Sequence, residues 1–222
     1  MKQRAPFHFA AIATLLIVKS MLAEDVFPVF NTAAIEVTIP TNTPGLLPDS
    51  TLAVKNGTNI AYHLKGEIFT KATEGQIQFK SQGFSGTSDR STPWKTLTEL
   101  FSVYQDGSPE AGLKSLYASS AREALEEIYK NPAAKTHFQN FGLSFTNAQA
   151  LMWHSDDSGE GMFAYVNVAY RNGHHSVLPF YMVKNGDKYE LVSKTIEQNS
   201  TNNMHQNISA FLRSSYVTNL IR

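Results

Sequence analysis

The chain has 222 residues, 19 Lys plus Arg against 19 Asp plus Glu, 42% apolar residues and no Cys. That composition describes a globular protein of one ordinary domain or two small ones, and it excludes disulfides, thiolate metal sites and thiol nucleophiles. A net charge of zero with a pI near 7.1 leaves no basic footprint, so no nucleic-acid partner is expected.

Lys2 and Arg4 precede an apolar run over residues 7–18, Lys19 closes the run, and the small Ala23 stands before Glu24 and Asp25. A charged start, a short apolar middle and a small-residue end are the parts of a secretory signal peptide. The run is shorter than the roughly 18 to 20 residues of a bilayer-spanning helix. The expectation is therefore export, to a bacterial periplasm or as a secreted protein, with residues 1–23 as the signal and no membrane span after its removal. Absence of Cys favours a periplasm over an animal extracellular space, where small domains are usually disulfide-stapled. Without Lys2, Arg4 and Lys19 the chain carries 16 basic and 19 acidic residues, a charge of −3.

Residues 24–91 are rich in β-formers, with alternating stretches at 34–39, 51–55, 59–64 and 76–79. Asn56-Gly57 marks a hairpin in which Leu52 and Val54 answer Ile60, Tyr62 and Leu64. Pro40, Pro44 and Pro48 break the chain into loop, and residues 81–92 read as a linker. The segment holds too few large apolar residues to form a domain of its own.

A helical period follows. Thr92-Pro93 caps a first helix carrying Trp94, Leu97, Leu100, Phe101 and Tyr104, which Gly107 closes. Ser108-Pro109-Glu110 opens a second with Leu113, Leu116 and Tyr117. Ser120 and Glu123 have capping-box spacing for a third with Leu125, Ile128 and Tyr129. Asn131-Pro132 starts a fourth with Phe138 and Phe141.

Four strands then alternate over residues 142–154, 161–171, 174–184 and 187–196, the last three separated by Asn172-Gly173 and Asn185-Gly186. Two-residue turns would set Tyr165 opposite Phe180, Asn167 opposite Leu178 and Met182 opposite Tyr189. One face would then gather Tyr165, Asn167, Phe180, Ser176 and Ser193, aromatic at one end and polar at the other. The other face, with Val166, Val168, Val177 and Tyr181, is too apolar to be solvated. Residues 30–80 are the expected cover or extension for it. Residues 198–207 read as a polar loop before an amphipathic tail with Ile208, Phe211 and Leu212.

The expected architecture is α+β: short helices packed on a curved, cone-like antiparallel meander sheet (residues 92–197), with a β-rich N-terminal extension (24–91) and a C-terminal tail (198–222). Asn167, Tyr165, Phe180, Ser176, Ser193 and Trp94 form the candidate ligand-binding set, suited to a small apolar ligand. Two readings stand for them: the aromatics also fit a plain core, and the Asn167 amide also fits a structural bond to a helix end. His154 with Asp156 and Asp157, and His174 with His175, are read as solvated turn residues, because a metal needs three or four converging ligands. No catalytic residue, metal or cofactor is expected.

Helices followed by a meander that ends in NGDKYELVSKTI, with the opening SDRSTPWKTLTELFSVYQDGSPEAGLKSLYA, resembles the nuclear-transport-factor-two-like superfamily over about residues 90–197. That superfamily includes ketosteroid-isomerase-like and polyketide-cyclase-like proteins. The resemblance implies a cone with an internal pocket and a homodimer through the outer sheet face, at Val177 and Tyr181. Its enzymes place a carboxylate base inside the cone, and the expected inward face holds no Asp, Glu or His, so no catalytic residue carries over. The leading expectation is a non-enzymatic binding or assembly protein of the envelope. The alternatives are a pocket enzyme of isomerase or cyclase type and a subunit of an envelope complex.

Overall fold

A computed structural model describes residues 33–47, 54–69, 76–77, 89–105, 110–156, 159–192 and 199–220. The signal-like residues 1–23, Leu52, most of the 81–92 linker, Ser193 and Thr195 lie outside the described residues. The first strands are β1 (Ala34–Pro40), β2 (Val54–Asn56), β3 (Asn59–Ile68) and β4 (Gln76–Ile77). Four helices follow: α1 (Pro93–Gln105), α2 (Glu110–Leu116), α3 (Ser119–Lys130) and α4 (Pro132–Leu143). The meander is β5 (Phe145–Ser155), β6 (Gly161–Tyr170), β7 (His175–Asn185) and β8 (Lys188–Leu191), and α5 (Asn199–Leu220) comes last. All strands pair antiparallel in one open sheet, ordered β1-β3-β5-β6-β7-β8, with β2 beside β3 and β4 beside β5. This is the expected α+β class. Among the described residues no helix is long and apolar enough to cross a membrane.

Helices α1 and α4 begin where the sequence puts them. Thr92 Oγ1 accepts from the Lys95 amide at 3.2 Å, and Asn131 Oδ1 accepts from the Ala133 amide at 2.9 Å, so each satisfies a donor that its helix cannot. The expected capping box is not used: the N-cap of α3 is Ala118, two residues before Ser120, with no side-chain cap. Leu97, Leu100 and Phe101 are wholly buried against the sheet, each stabilising the fold by roughly 1.5–3 kcal/mol. Helices α1 to α3 and the sheet side chains beneath them share one core with Phe145, Trp153, Met162, Ala164, Val166, Val168, Met182 and Leu191.

The sheet register differs from the expected one. Tyr170 and His174 close a three-residue turn, with the Tyr170 amide donating to the His174 carbonyl and the Gly173 amide to the Tyr170 carbonyl, each at 2.9 Å. Gly173 takes a left-handed φ of +81°, the geometry of a type I turn followed by a bulge. One extra turn residue turns every side chain of β7 over relative to β6. Ala164 therefore faces Phe180, and Asn167 faces Val177. The next hairpin slips by two, pairing Met182 with Leu191, and an even slip leaves the faces unchanged. Strand β5 carries a bulge between Ala150 and Met152, which sends both Leu151 and Met152 to the face away from the four helices.

That second face is covered by α5, and the N-terminal strands extend the sheet at its edge. Val37, Ile39, Ile60, Tyr62, Met152, Phe163, Tyr165 and Val177 pack with Met204, Ile208 and Leu212 of α5. The stretch expected as a polar loop is thus helical. Met204, Ile208 and Leu212, four residues apart, form its apolar stripe. Val177 and Tyr181, expected on an exposed dimer face, belong to this packed layer.

Candidate functional site

Of the six candidate residues, the five that are described divide between the two faces. Trp94 packs edge-on to Trp153 with ring centres 5.9 Å apart, and Phe180 edge-on to Phe101 at 5.8 Å, both under the four helices. Ser176 lies across from Val168 on that same face. Tyr165 and Asn167 lie on the α5 face, and Ser193 is outside the described residues. The shared mouth expected from a two-residue turn does not form, because the three-residue turn separates Asn167 from Ser176.

The α5 face instead holds a polar set inside an apolar layer. His154, expected in a solvated turn, is 2% exposed on β5, and His205 of α5 is 7% exposed. Between them stands the Tyr165 hydroxyl, 3.1 Å from His154 Nε2 and 2.6 Å from His205 Nδ1. His154 Nδ1 lies 2.8 Å from the Ser155 carbonyl oxygen. A carbonyl only accepts, so this nitrogen carries hydrogen, and a neutral His154 offers Nε2 as an acceptor. Tyr165 then donates to His154, and His205 Nδ1 donates to Tyr165. All three bonds point the same way, from helix to sheet. The imidazoles lie nearly parallel, 15° apart with centres 5.7 Å apart, and Phe163 packs 3.8 Å from the His205 ring centre.

Burial first, and then neighbouring Tyr62, pushes the Tyr165 phenol well above its ordinary value of 10.0. Tyr181 is also raised, by burial first and then by its bond to Asp156 and the charges of Asp156 and Glu160. Both phenols keep their hydrogens at neutral pH. The Tyr181 hydroxyl donates to Asp156 Oδ2 at 2.6 Å, passing over Gly161, where any Cβ would stand 2.3 Å from the phenol oxygen.

Two amide groups complete the set. Asn207 of α5, fully buried, donates to the Leu47 carbonyl at 3.0 Å and to the Tyr62 hydroxyl at 3.1 Å, and accepts from the Leu47 amide at 2.7 Å. Asn167 is 3% exposed beside Gln149, and its Oδ1 has no hydrogen-bond partner among the described residues. Sequence reasoning singled out Asn167 and Tyr165 but missed His154, His205 and Asn207. The four-residue spacing of Met204, Ile208 and Leu212, carried back into the polar stretch, is the signal that would have found the last two. Among the described residues, no three His, Asp or Glu side chains are grouped to hold a metal ion.

By class, this is an α+β protein whose antiparallel sheet carries α1 to α4 on one side and α5 on the other, with a buried hydrogen-bonded set under α5. No family model, curated protein or solved structure matches the chain.

Proposed function

We propose that the protein is exported to the bacterial envelope and there binds a small, largely apolar ligand without transforming it, on a fold akin to the nuclear-transport-factor-two-like superfamily. The export reading rests on the charged, apolar and small-residue order of residues 1–23 and on the absence of Cys. Kinship with the superfamily is supported by helices α1 to α4 preceding the β5 to β8 meander.

One observation carries the binding reading: the Asn167 oxygen, which has no partner among the described residues. A buried acceptor left unmade costs about 1–3 kcal/mol, and native folds rarely keep one without a use. Its strand neighbours on the same face are Tyr165, Ala169 and Val177, with Gln149 alongside. The complementary ligand has an apolar body and one N–H or O–H group that donates to this oxygen.

Native mass spectrometry of protein purified from its own envelope tests this. The wild type should retain a small molecule that Asn167→Leu loses, while the variant stays as stable as the parent or gains stability. A wild type without the added mass, or a variant that keeps it, sinks the proposal. The His154, Tyr165 and His205 chain favours a second reading, an isomerase or cyclase-like enzyme. It predicts that the retained molecule changes structure on incubation with wild-type protein and stays unchanged with Tyr165→Phe.

A further inference from the structure

The two borders of the sheet are finished differently. At β8 outward backbone groups are used: the Tyr189 amide donates to the Arg90 carbonyl at 2.9 Å, and the Leu191 carbonyl accepts from the Ala118 amide at 2.8 Å. β1 is the outermost strand at the other border. Its bonds to β3 fix which of its groups are left over. The Gly66 amide donates to the Ala33 carbonyl and the Thr41 amide to the Thr58 carbonyl, each at 2.8 Å, and the register between these pairs is unbroken. Odd-numbered residues of β1 therefore exchange bonds with β3, while Ala34, Glu36 and Thr38 turn their N–H and C=O groups outward. Among the described residues no hydrogen bond meets those backbone groups.

We infer that β1 is a dimer interface: a second copy of this chain adds its own β1 antiparallel, on a two-fold axis through Val37, and the two sheets become one. This surface is separate from the sheet face of Val177 and Tyr181, which belongs to the layer under α5. Open edges are normally blunted by Lys, by Pro or by a bulge. β1 has no basic residue and no bulge, and its one Pro is its last residue, Pro40.

The side chains select the occupant and the register. Full overlap of two copies of this 7-residue strand puts the axis at its middle, Val37. A slip of the axis to Glu36 would set the two Glu36 carboxylates directly opposite, a like-charge pair that weakens the ladder. With the axis at Val37, Glu36 exchanges both backbone bonds with Thr38 of the second copy, and symmetry repeats the exchange. On the exposed side Glu36 then stands beside that Thr38, whose hydroxyl within one strand already donates to Glu36 Oε1 at 2.9 Å. His63 of β3, 3.6 Å from Glu36 Oε2, flanks the same carboxylate. On the α5 side Val37 meets Val37 and the half-buried Ile35 meets Ile39, all β-branched side chains that suit cross-strand contact. The β1 strand is thus complementary to itself in backbone, charge and shape. Because β8 is capped, the pairing closes at two copies and does not propagate into a fibre.

Sedimentation equilibrium and amide hydrogen exchange of the protein purified from its own cells, each over a range of concentration, test the dimer. Twice the one-chain mass should appear as concentration rises. With it the Glu36 and Thr38 amides should gain protection of about 10-fold or more, while the Val37 and Ile39 amides, already bonded to β3, keep theirs. Thr38→Pro removes an outward N–H, leaves the bonds to β3 whole, and should hold the chain at one copy. Two variants at this exposed site read the register without changing the backbone. Thr38→Glu should weaken association about 5-fold and Thr38→Lys should strengthen it by about as much, since residue 38 faces Glu36 twice in each dimer. A chain that stays at one copy up to about 1 mM, alone or with a foreign polypeptide on β1, overturns the inference. So does a dimer in which the Glu36 and Thr38 amides stay unprotected, one that survives Thr38→Pro with native circular dichroism, or one on which the two charge variants act alike.

Discussion

Replacing Asn207 with Leu keeps side-chain size and removes three bonds from one buried point. The lost contacts are the acceptor at 2.7 Å to the Leu47 amide and the donors at 3.0 and 3.1 Å to the Leu47 carbonyl and the Tyr62 hydroxyl. A net contribution of about 1 kcal/mol per bond gives a destabilisation of about 3 kcal/mol. Tyr62 is 1% exposed, so its hydroxyl cannot recover through water. Leu47 is half-buried and regains part of its hydration, which keeps the total near that value. For a domain of this size about 3 kcal/mol lowers Tm by roughly 6–12 °C. Thermal unfolding followed by circular dichroism measures the shift. A double-mutant cycle with Tyr62→Phe should return a coupling of about 1 kcal/mol. A fall in Tm below about 3 °C, or a coupling near zero, would show that the amide is not what ties α5 to the β1 loop and β3.

Gly66→Ala should be far more damaging than its size suggests, because a Cβ there would stand 1.9 Å from the Trp153 carbonyl oxygen where β3 crosses β5. Loss of more than about 3 kcal/mol in urea titration is expected, and a variant as stable as the parent refutes the crossing geometry. Tyr181→Phe leaves the Asp156 carboxylate without its phenol donor and should cost about 1.5 kcal/mol, the low end for a bond to a charged group at a half-buried site; an unchanged Tm counts against it. Alkaline titration gives a signed test. Burial pushes Tyr117 up to about 12, and raises Tyr104 and Tyr165 well above 10.0. A phenol raised in the fold binds its proton more tightly there than in the unfolded chain, so the stability it lends is complete below pH 10 and is lost as pH climbs toward 12. Absorbance near 295 nm should therefore show these phenolates appearing together with unfolding, and smooth ionisation with the fold intact would contradict the burial.

Legibility from sequence followed the physics of each element. Helices α1 to α4 were readable because their apolar stripes repeat at three and four residues and because Thr92 and Asn131 cap by local bonds. The meander strands were readable from alternation. Their register was not, because Asn172-Gly173 fits both a two-residue turn and a three-residue turn with Gly in the left-handed position, and one residue decides which face Asn167 shares. The bulge at Ala150 to Met152 leaves no mark in an apolar run. Helix α5 was hidden for a different reason: Asn207 and His205 are buried through specific long-range bonds, so a pattern that equates polar with exposed reads them as loop. His154 was misread similarly, the following acids suggesting water where the ring is covered from above.

The bond between Leu47 and Asn207 spans 160 positions of the chain, and that separation has a kinetic meaning. The sheet's second layer cannot close until the last helix has been made. At a synthesis rate of roughly 5–20 residues per second, the 29 positions from Leu191, the end of β8, to Leu220, the end of α5, amount to an interval of about 1.5–6 s in which Val177, Phe163 and Met152 wait uncovered. Closure of so long a loop also comes late in folding, since its entropy is lost before any contact repays it. Nascent chains lacking α5 should therefore be the species that holding chaperones recognise, and the residues they would grip are the ones that later lie beneath His205.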